Sequence, residues 1–236
     1  MLDQFLQGVG VGNIFQLFLT PGRLYFALNL LYVRVLDRWK GTDFSGGRGG
    51  RLLQKEIGIS INRGNDYSPT PRCLLRTLRK LYITPEDKIM DLGCGKGLAM
   101  YYMSKFPFSQ IGGIELSRKL ALEAKSNLNI ISGNKRRYRI IRADAGKWDH
   151  YDEYTFFFIY NSFPKQVIKE VIDKINASVE SKPRKVIILY LYPEFPEEIT
   201  KDKKFVLVRK GSKKEIREGM HIYINSGYKN EKIFLE

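Results

Sequence analysis

The spacing of apolar and polar residues changes repeatedly along the chain, and this predicts alternating strands and helices. From residue 72 onward, apolar runs of strand length alternate with segments whose apolar residues recur at helical spacing. The predicted strands are Asp87–Gly93, Gln110–Leu116, Arg137–Asp144, Thr155–Asn161 and Arg184–Tyr192, and the predicted helices are Arg72–Ile83, Leu98–Phe106, Ser117–Ile131 and Lys165–Val179. Two strand-like segments, 204–210 and 220–226, follow as a hairpin pair. This order predicts an α/β fold with a mostly parallel sheet and an antiparallel edge.

The first 66 residues stand outside this alternation. The mostly apolar segment Leu24–Trp39 predicts a helix that begins at Thr20–Pro21, where a hydroxyl N-cap precedes a proline at the first helical position. Its apolar runs fall short of the roughly 18 consecutive residues of a membrane span. The sequence has no basic cluster near residue 1, which argues against a secretory signal. We expect a helical extension that covers the main domain or a substrate. Contact of residues 13–40 with a membrane surface is the alternative.

The segment Gly41–Pro71 connects this extension to the alternating region. It is rich in glycine and lacks helical periodicity, which is typical of a loop with short strands. Long ordered loops are usually functional, so we expect a lid or a substrate-entry segment, and a disordered linker is the alternative. The sequence therefore predicts two units, an extension and connector over 1–66 and a main domain over 67–236.

The stretch MDLGCGKGLA, residues 90–99, places Gly93, Gly95 and Gly97 directly after the first predicted strand. Bare backbone at alternate positions indicates a sharp turn or a close approach to a ligand. A phosphate-binding P-loop would need a glycine where Met90 stands, and a dinucleotide fingerprint would need one at Leu98. The tighter turn that remains leaves less room for a pyrophosphate and favours a compact adenosine-bearing ligand. Sheets of this kind bind ligands beyond the carboxyl ends of their strands.

Three features in this order resemble a known family. The motif DLGCGKG, then Glu115 after the second strand and Asp144 after the third, is similar to the class I S-adenosylmethionine-dependent methyltransferases over roughly Tyr67 to Tyr192. The segments YSPTP (67–71) and IGGIELS (111–117) resemble a bacterial group of such enzymes and, more distantly, the non-SET histone lysine methyltransferases. The resemblance implies a Rossmann-like methyltransferase fold with a seven-stranded sheet. It also implies S-adenosylmethionine as cofactor and direct methyl transfer to a nucleophilic acceptor.

The resemblance also implies a set of cofactor-binding residues. They are Tyr67, Thr70, Asp91, Gly93, Cys94, Gly95, Gly97, Glu115, Leu116, Asp144, Ala145 and Asn161. The glycine amides and the N-terminus of the next helix would meet the methionyl part. Asp91 would hold the amino end, and Glu115 the ribose diol. Asp144 and the backbone of Ala145 would meet the adenine edge. Strand-end turn chemistry for Asp91 and Glu115, a capped turn for Asp144, and a helix cap for Thr70 are the alternatives.

No residue stands out as a general base. Asn161, Tyr67 and His150 are the catalytic candidates. Asn161 matches the first position of the Asp/Asn-Pro-Pro-Tyr/Phe motif of adenine-N6 and glutamine-N5 methyltransferases, but Ser162 and Phe163 replace its prolines. This departure argues against methylation of adenine or glutamine, and a helix N-cap is the alternative role for Asn161 or Ser162. An acceptor that is already an amine or a carboxylate needs no strong base.

Charge and cysteine content add expectations about partners and location. The formal net charge is +15, which favours acidic partners such as nucleic acid, anionic lipid or an acidic metabolite, with plain solubilising charge as the alternative. Residues 51–85 hold seven basic and two acidic residues. The two cysteines and two histidines predict neither a disulfide framework nor a metal site, and a cytoplasmic protein is expected. A non-catalytic nucleic-acid- or membrane-binding module with the same fold is the alternative to an enzyme.

Overall fold

The computed structural model describes residues 21–46, 63–64, 67–132, 137–160, 162–212 and 219–235. The helices of these ranges are α1 (Pro21–Lys40), α2 (Cys73–Leu78), α3 (Leu98–Met103), α4 (Arg118–Ser132), α5 (Lys165–Ser181) and α6 (Glu197–Thr200). The strands are β1 (Lys88–Leu92), β2 (Gln110–Glu115), β3 (Tyr138–Arg142), β4 (Phe156–Tyr160), β5 (Ile187–Leu191), β6 (Phe205–Arg209) and β7 (Met220–Asn225). Short 3₁₀ turns cover Ala145–Lys147, Tyr151–Glu153 and Ser226–Tyr228.

The seven strands form one sheet in the order β3-β2-β1-β4-β5-β7-β6. Strands β1 to β5 are parallel, whereas β7 lies antiparallel to both β5 and β6. The predicted fold class is therefore confirmed, including the antiparallel edge. The chain runs outward from β1 through β2 to β3 and then crosses back to β4, so the strand order reverses between β1 and β4. Such a reversal opens a crevice at the carboxyl ends of the two strands.

Both faces of the central strands are buried, as the apolar runs of β1, β4 and β5 require, whereas the edge strands β3 and β6 are partly exposed. Strand β4 illustrates the division, because successive side chains of a strand point to opposite faces. Phe156 and Phe158 join the core beneath α1, α2 and α3, while Phe157 and Ile159 join the core beneath α5. The result is a three-layer arrangement with the sheet in the middle.

Helix α1 begins at Pro21, as predicted, and packs against the same face as α2 and α3. Its inner side buries Val33 and Leu36 in the core of that face. The Oδ1 atom of Asn29 accepts a hydrogen bond of 3.1 Å from the backbone N–H of Arg72, which joins α1 to the start of α2. None of the helices within the described ranges has both the length and the apolarity that crossing a membrane requires.

The turn that follows α1 is fixed by side chains on both sides. Asp37 accepts hydrogen bonds of 2.8 Å from the hydroxyl of Thr42 and from the backbone amides of Phe44 and Ser45. The Oδ1 atom of Asn127 on α4 accepts a 2.9 Å bond from the N–H of residue 43. Residues 41–46 are thereby tied both to the end of α1 and to the second half of α4.

Several predictions fall partly or wholly outside the described residues. Thr20, Asn161 and most of the connector, residues 47–62 and 65–66, are among them. The division into units at residue 66 and the lid role of the connector stay predictions. Thr70 does not cap α2, because the N-cap residue is Arg72 and it makes no side-chain capping bond.

Candidate functional site

A cavity of about 290 Å³ lies at the carboxyl ends of β1, β2 and β4, where the strand order reverses. Its volume is at the lower end of the range for small-molecule sites, roughly 300–1,000 Å³. Ten of the residues predicted to bind a cofactor line it: Tyr67, Thr70, Asp91, Gly93, Cys94, Gly95, Glu115, Leu116, Asp144 and Ala145. The sequence-based set omitted other lining residues, namely Arg63, Gly64, Ser68, Ile114, Leu120, Ala143, Tyr160, Ser162 and Phe163.

The glycine loop has the backbone conformation that its composition predicts. Gly93, Gly95 and Gly97 have φ angles of +81°, +51° and +86°, a region that other residues rarely adopt. A Cβ atom at residue 95 would lie 2.2 Å from Cδ2 of Tyr67, so the ring of Tyr67 needs a glycine beneath it. Gly97 does not line the cavity; it is the N-cap residue of α3 and faces α4 instead. Helix α3 has only six residues, so we do not place the carboxylate of a ligand at its N-terminus.

Glu115 is the side chain that ties the glycine loop to β2. It is 7% exposed, and its two oxygens accept hydrogen bonds of 2.9 Å from the backbone amides of Gly95 and Ser117. Both carboxylate oxygens therefore act as acceptors for backbone amides at the ends of β1 and β2, and the side chain also lines the cavity. Glu115 therefore both holds the loop and presents a negative charge to the cavity.

Asp91, the fourth residue of β1, is the least satisfied charged group of the cavity. It is 3% exposed, and among the described residues no donor forms a hydrogen bond or ion pair with its carboxylate. Burial raises the pKa of Asp91 well above its usual range, and the nearby Glu115 carboxylate raises it further. A ligand that brings a positive charge or an N–H donor would relieve both effects.

Asp144, which the resemblance implied would meet the adenine edge, lines the cavity, but its carboxylate is already engaged. Arg63 donates to it from Nη2, at 2.7 Å to each oxygen, and from Nε at 3.0 Å. The same guanidinium donates to Glu170 on α5, with Nη2 2.7 Å from Oε2. Hydrogen bonds to Glu170 and Asp144 raise the pKa of Arg63, and Arg63 lowers the pKa of Glu170. The N–H of Gly146 also donates to Asp144, at 3.0 Å, so the capped turn is present.

Tyr67 covers the glycine loop and joins it to the turn after α1. Its hydroxyl donates a 2.6 Å hydrogen bond to the backbone oxygen of Phe44, and burial raises its pKa well above 10.0. A protonated hydroxyl that is already donating is poorly suited to act as a base. Lys96, inside the glycine motif, is fully buried and contacts Asp43 at 2.7 Å and Glu123 at 3.2 Å.

Of the other two catalytic candidates, one lies away from the cavity and the other is outside the described residues. His150 is exposed, contacts the ring of Trp148 edge-on and is not a lining residue. Asn161 lies outside the described residues, while its neighbours Tyr160 and Ser162 line the cavity. Burial raises the pKa of the Cys94 thiol well above its usual range, so this lining cysteine is not a thiolate nucleophile.

The strand order and the position of the cavity define the class of fold, a Rossmann-like α/β sheet with an antiparallel edge. No protein-family model and no curated protein matches the chain significantly. Solved structures that resemble it include StiE O-MT, which is 18% identical with a TM-score of 0.44 over 58% of this chain and 50% of that chain. This chain thus spans about half the length of that relative.

Two further solved structures were determined with ligands bound. The magnesium protoporphyrin IX methyltransferase from Synechocystis, with bound SAM, is 16% identical over 84% of this chain and 97% of its own, with a TM-score of 0.46. An RNA methyltransferase from Salinibacter ruber, in complex with S-adenosyl-L-homocysteine, is 17% identical over 66% and 92%, with a TM-score of 0.48. Because these identities and TM-scores are low, the fold assignment rests on the strand order of this chain.

Proposed function

We propose that the protein is an S-adenosylmethionine-dependent methyltransferase. The observation that carries this proposal is the pairing of two buried carboxylates at the tips of neighbouring strands. Asp91 has no donor among the described residues, and Glu115 lines the same cavity while it holds the glycine loop through the amides of Gly95 and Ser117. A ligand with a cationic end and a hydroxylated sugar matches both groups, and S-adenosylmethionine has both.

Each group at the cavity would then have a distinct task. Asp91 would accept hydrogen bonds from the amino group of the ligand, and Glu115 would accept them from the ribose hydroxyls. Gly93 and Gly95 permit the left-handed turn, and their missing side chains leave room for Ser162 and Tyr67, which pack on the loop and line the cavity. These residues bind and orient the ligand and exclude water from it.

The cofactor carries the reactive group, and the protein aligns it with the acceptor. When bound, S-adenosylmethionine supplies a methyl group on a sulfonium, which an acceptor nucleophile can take by direct displacement. Tyr160 and Ser162, at the end of β4, line the same cavity. We propose that they border the acceptor, a nucleophile on a protein, a small molecule or an anionic substrate.

One contact disagrees with the simplest version of this site. The Arg63 guanidinium engages both oxygens of Asp144, so the adenine amino group would have to compete with an ion pair. The backbone of Ala145, beside Asp144 in the cavity lining, is not subject to that competition. We therefore assign the ligand's sugar and amino end to Glu115 and Asp91, and leave the adenine contact to be tested by substitution of Arg63.

Isothermal titration calorimetry with three ligands tests the proposal. S-adenosylmethionine and S-adenosylhomocysteine should bind, and methylthioadenosine, which lacks the amino acid part, should bind more weakly. The substitution Asp91→Asn should weaken the first two and leave methylthioadenosine unchanged. Absence of binding by all three to the folded protein would overturn the proposal, and equal loss for all three would overturn the role of Asp91.

The acceptor class is tested separately with tritiated S-adenosylmethionine. Fractions of cell extract that contain protein, nucleic acid, lipid or small molecules are incubated with the protein, and label transfer is measured. Transfer should require an intact glycine loop and fail in a Gly95→Val variant. Cofactor binding without transfer to any fraction would favour a binding module over an enzyme.

A further inference from the structure

Helix α1 has an apolar face that the rest of the described chain does not cover. Leu24, Leu28, Leu31, Val35 and Trp39 are 42%, 54%, 57%, 61% and 75% exposed. Their spacing of three and four residues places them on one side of the helix, and this set is called the α1 stripe below. Exposed apolar groups that form a contiguous patch, unlike single ones, mark an interaction site.

The orientation of the stripe is fixed, because the opposite side of α1 is anchored. Val33 and Leu36 are buried in the core, and Asn29 accepts a hydrogen bond from the backbone of Arg72. The Tyr25 hydroxyl accepts a 3.1 Å bond from the N–H of Cys73 at the start of α2. The stripe therefore points away from the sheet, on a helix that cannot rotate to bury it.

The charges beside the stripe are positive. Arg34, Arg38 and Lys40 are exposed, and the Lys40 ammonium lies 3.8 Å from the ring centre of Trp39. Asp37 is the only acidic residue of α1, and its carboxylate is turned toward the following turn, where it accepts three hydrogen bonds. An apolar face with basic residues along its border is the pattern of helices that lie in the interface of anionic membranes.

We propose that the α1 stripe docks the protein on the surface of an anionic lipid bilayer. The leucines and Trp39 enter the headgroup region, while Arg34 and Arg38 contact lipid phosphates, an attraction that adds to the apolar burial. A second copy of the chain fits less well, because two stripes packed together would bring these like charges into one interface between chains of net charge +15. This inference does not depend on methyl transfer.

The sequence before α1 is consistent with the same partner. Residues 1–20 include only one charged residue, Asp3, and are rich in leucine and phenylalanine. This composition adds one negative charge and no other charge that would oppose binding to an anionic surface.

Binding to vesicles tests the proposal with the full chain. Sedimentation with vesicles of phosphatidylcholine plus phosphatidylglycerol is compared with vesicles of phosphatidylcholine alone. The wild-type protein should bind the anionic vesicles and be released by salt, and its tryptophan emission should shift to shorter wavelength. Trp39→Phe should abolish that shift, since the other tryptophan, Trp148, is buried away from the stripe.

Two substitutions at residues of nearly equal exposure distinguish vesicle binding through the α1 stripe from general electrostatic attraction. Leu31→Glu changes a stripe residue that is 57% exposed, and Leu122→Glu changes a residue on α4 that is 58% exposed. Both variants should keep the wild-type melting temperature, because neither side chain is in the core. Leu31→Glu should weaken vesicle binding by about tenfold or more, while Leu122→Glu, with the same charge change, should leave it within about twofold.

Three results would overturn the proposal. The first is equal loss of vesicle binding in the two variants, which would indicate attraction by net charge alone. The second is failure of the wild-type protein to bind anionic vesicles. The third is a dimer in sedimentation velocity that Leu31→Glu dissociates and that does not bind vesicles, because the stripe would then be a contact between two copies.

Discussion

Replacing Asp91 with asparagine should make the ligand-free protein more stable and its cofactor binding weaker. The carboxylate is 3% exposed, lines the cavity, has no donor among the described residues and lies near the negative charge of Glu115. Burial and the like charge both disfavour the ionised form, at a cost of about 1–3 kcal/mol. Asn removes the charge and keeps the shape, so the free energy of unfolding near neutral pH should rise by about 1–3 kcal/mol. For a domain of this size, each kcal/mol raises the melting temperature by roughly 2–4 °C.

The gain should depend on pH in a defined direction. The folded-state pKa of Asp91 is raised, so its stabilising protonated form is fully present below the ordinary pKa of an aspartate. That contribution is lost as pH rises through the folded-state pKa. The stability difference between Asp91→Asn and the wild-type protein should therefore be small in acid and grow toward neutral pH. S-adenosylmethionine favours the ionised carboxylate, so wild-type affinity should strengthen over the same interval while the affinity of the variant stays flat.

Asp87 supplies the matched control, because it is a buried aspartate just before β1 whose carboxylate is satisfied. Asp87 accepts bonds of 2.8 Å and 3.1 Å from the N–H and hydroxyl of Thr84, and one of 2.9 Å from the hydroxyl of Thr155. Asp87→Asn should lower stability by about 1–3 kcal/mol. Urea denaturation and calorimetry measure both variants. If Asp91→Asn is destabilised like Asp87→Asn and binds S-adenosylmethionine with unchanged affinity, then Asp91 is a structural group with partners of its own.

Three further substitutions test other parts of the site. Gly95→Ala should lower the free energy of unfolding by about 2 kcal/mol or more. A left-handed φ costs an alanine roughly 1–2 kcal/mol, and the new Cβ would also displace Tyr67. An unchanged midpoint of urea denaturation would contradict this. Glu115→Ala should lower stability by about 3 kcal/mol, because two backbone amides lose a charged acceptor, and it should weaken S-adenosylhomocysteine binding at least tenfold by calorimetry. Arg63→Ala should free Asp144 and so increase the preference for S-adenosylhomocysteine over S-inosylhomocysteine; equal preference in both proteins would remove Asp144 from the adenine site.

The parts of the site that were predicted from sequence are those fixed by local chemistry. Three glycines at alternate positions after an apolar run predict a turn with positive φ, because only glycine enters that region without strain, and all three have it. Asp91 and Glu115 end neighbouring parallel strands, so their arrival at one edge of the sheet follows from the strand alternation. Local pattern does not reveal that Glu115 also holds the loop, since that bond depends on the register of β1 and β2.

Contacts across long stretches of sequence were beyond such reasoning. Arg63 lies 81 residues before Asp144 and 107 before Glu170, and nothing local marks it as the partner of either. The helix α1 shows a second limit. Its sequence is apolar on two sides, so its period alone does not say whether Val33 or Leu31 faces the core. Packing against α2 and the sheet decides this and leaves the α1 stripe exposed.

The N-terminal extension and the glycine loop are more closely joined than a division at residue 66 suggests. Lys96, within the motif, is fully buried and pairs with Asp43 from the turn after α1, and Tyr67, which covers Gly95, donates to the backbone of Phe44. A buried lysine needs its carboxylate partners, because removing one partner leaves an uncompensated charge in a poorly solvated place. The turn after α1 is thus part of what keeps the glycine loop in shape.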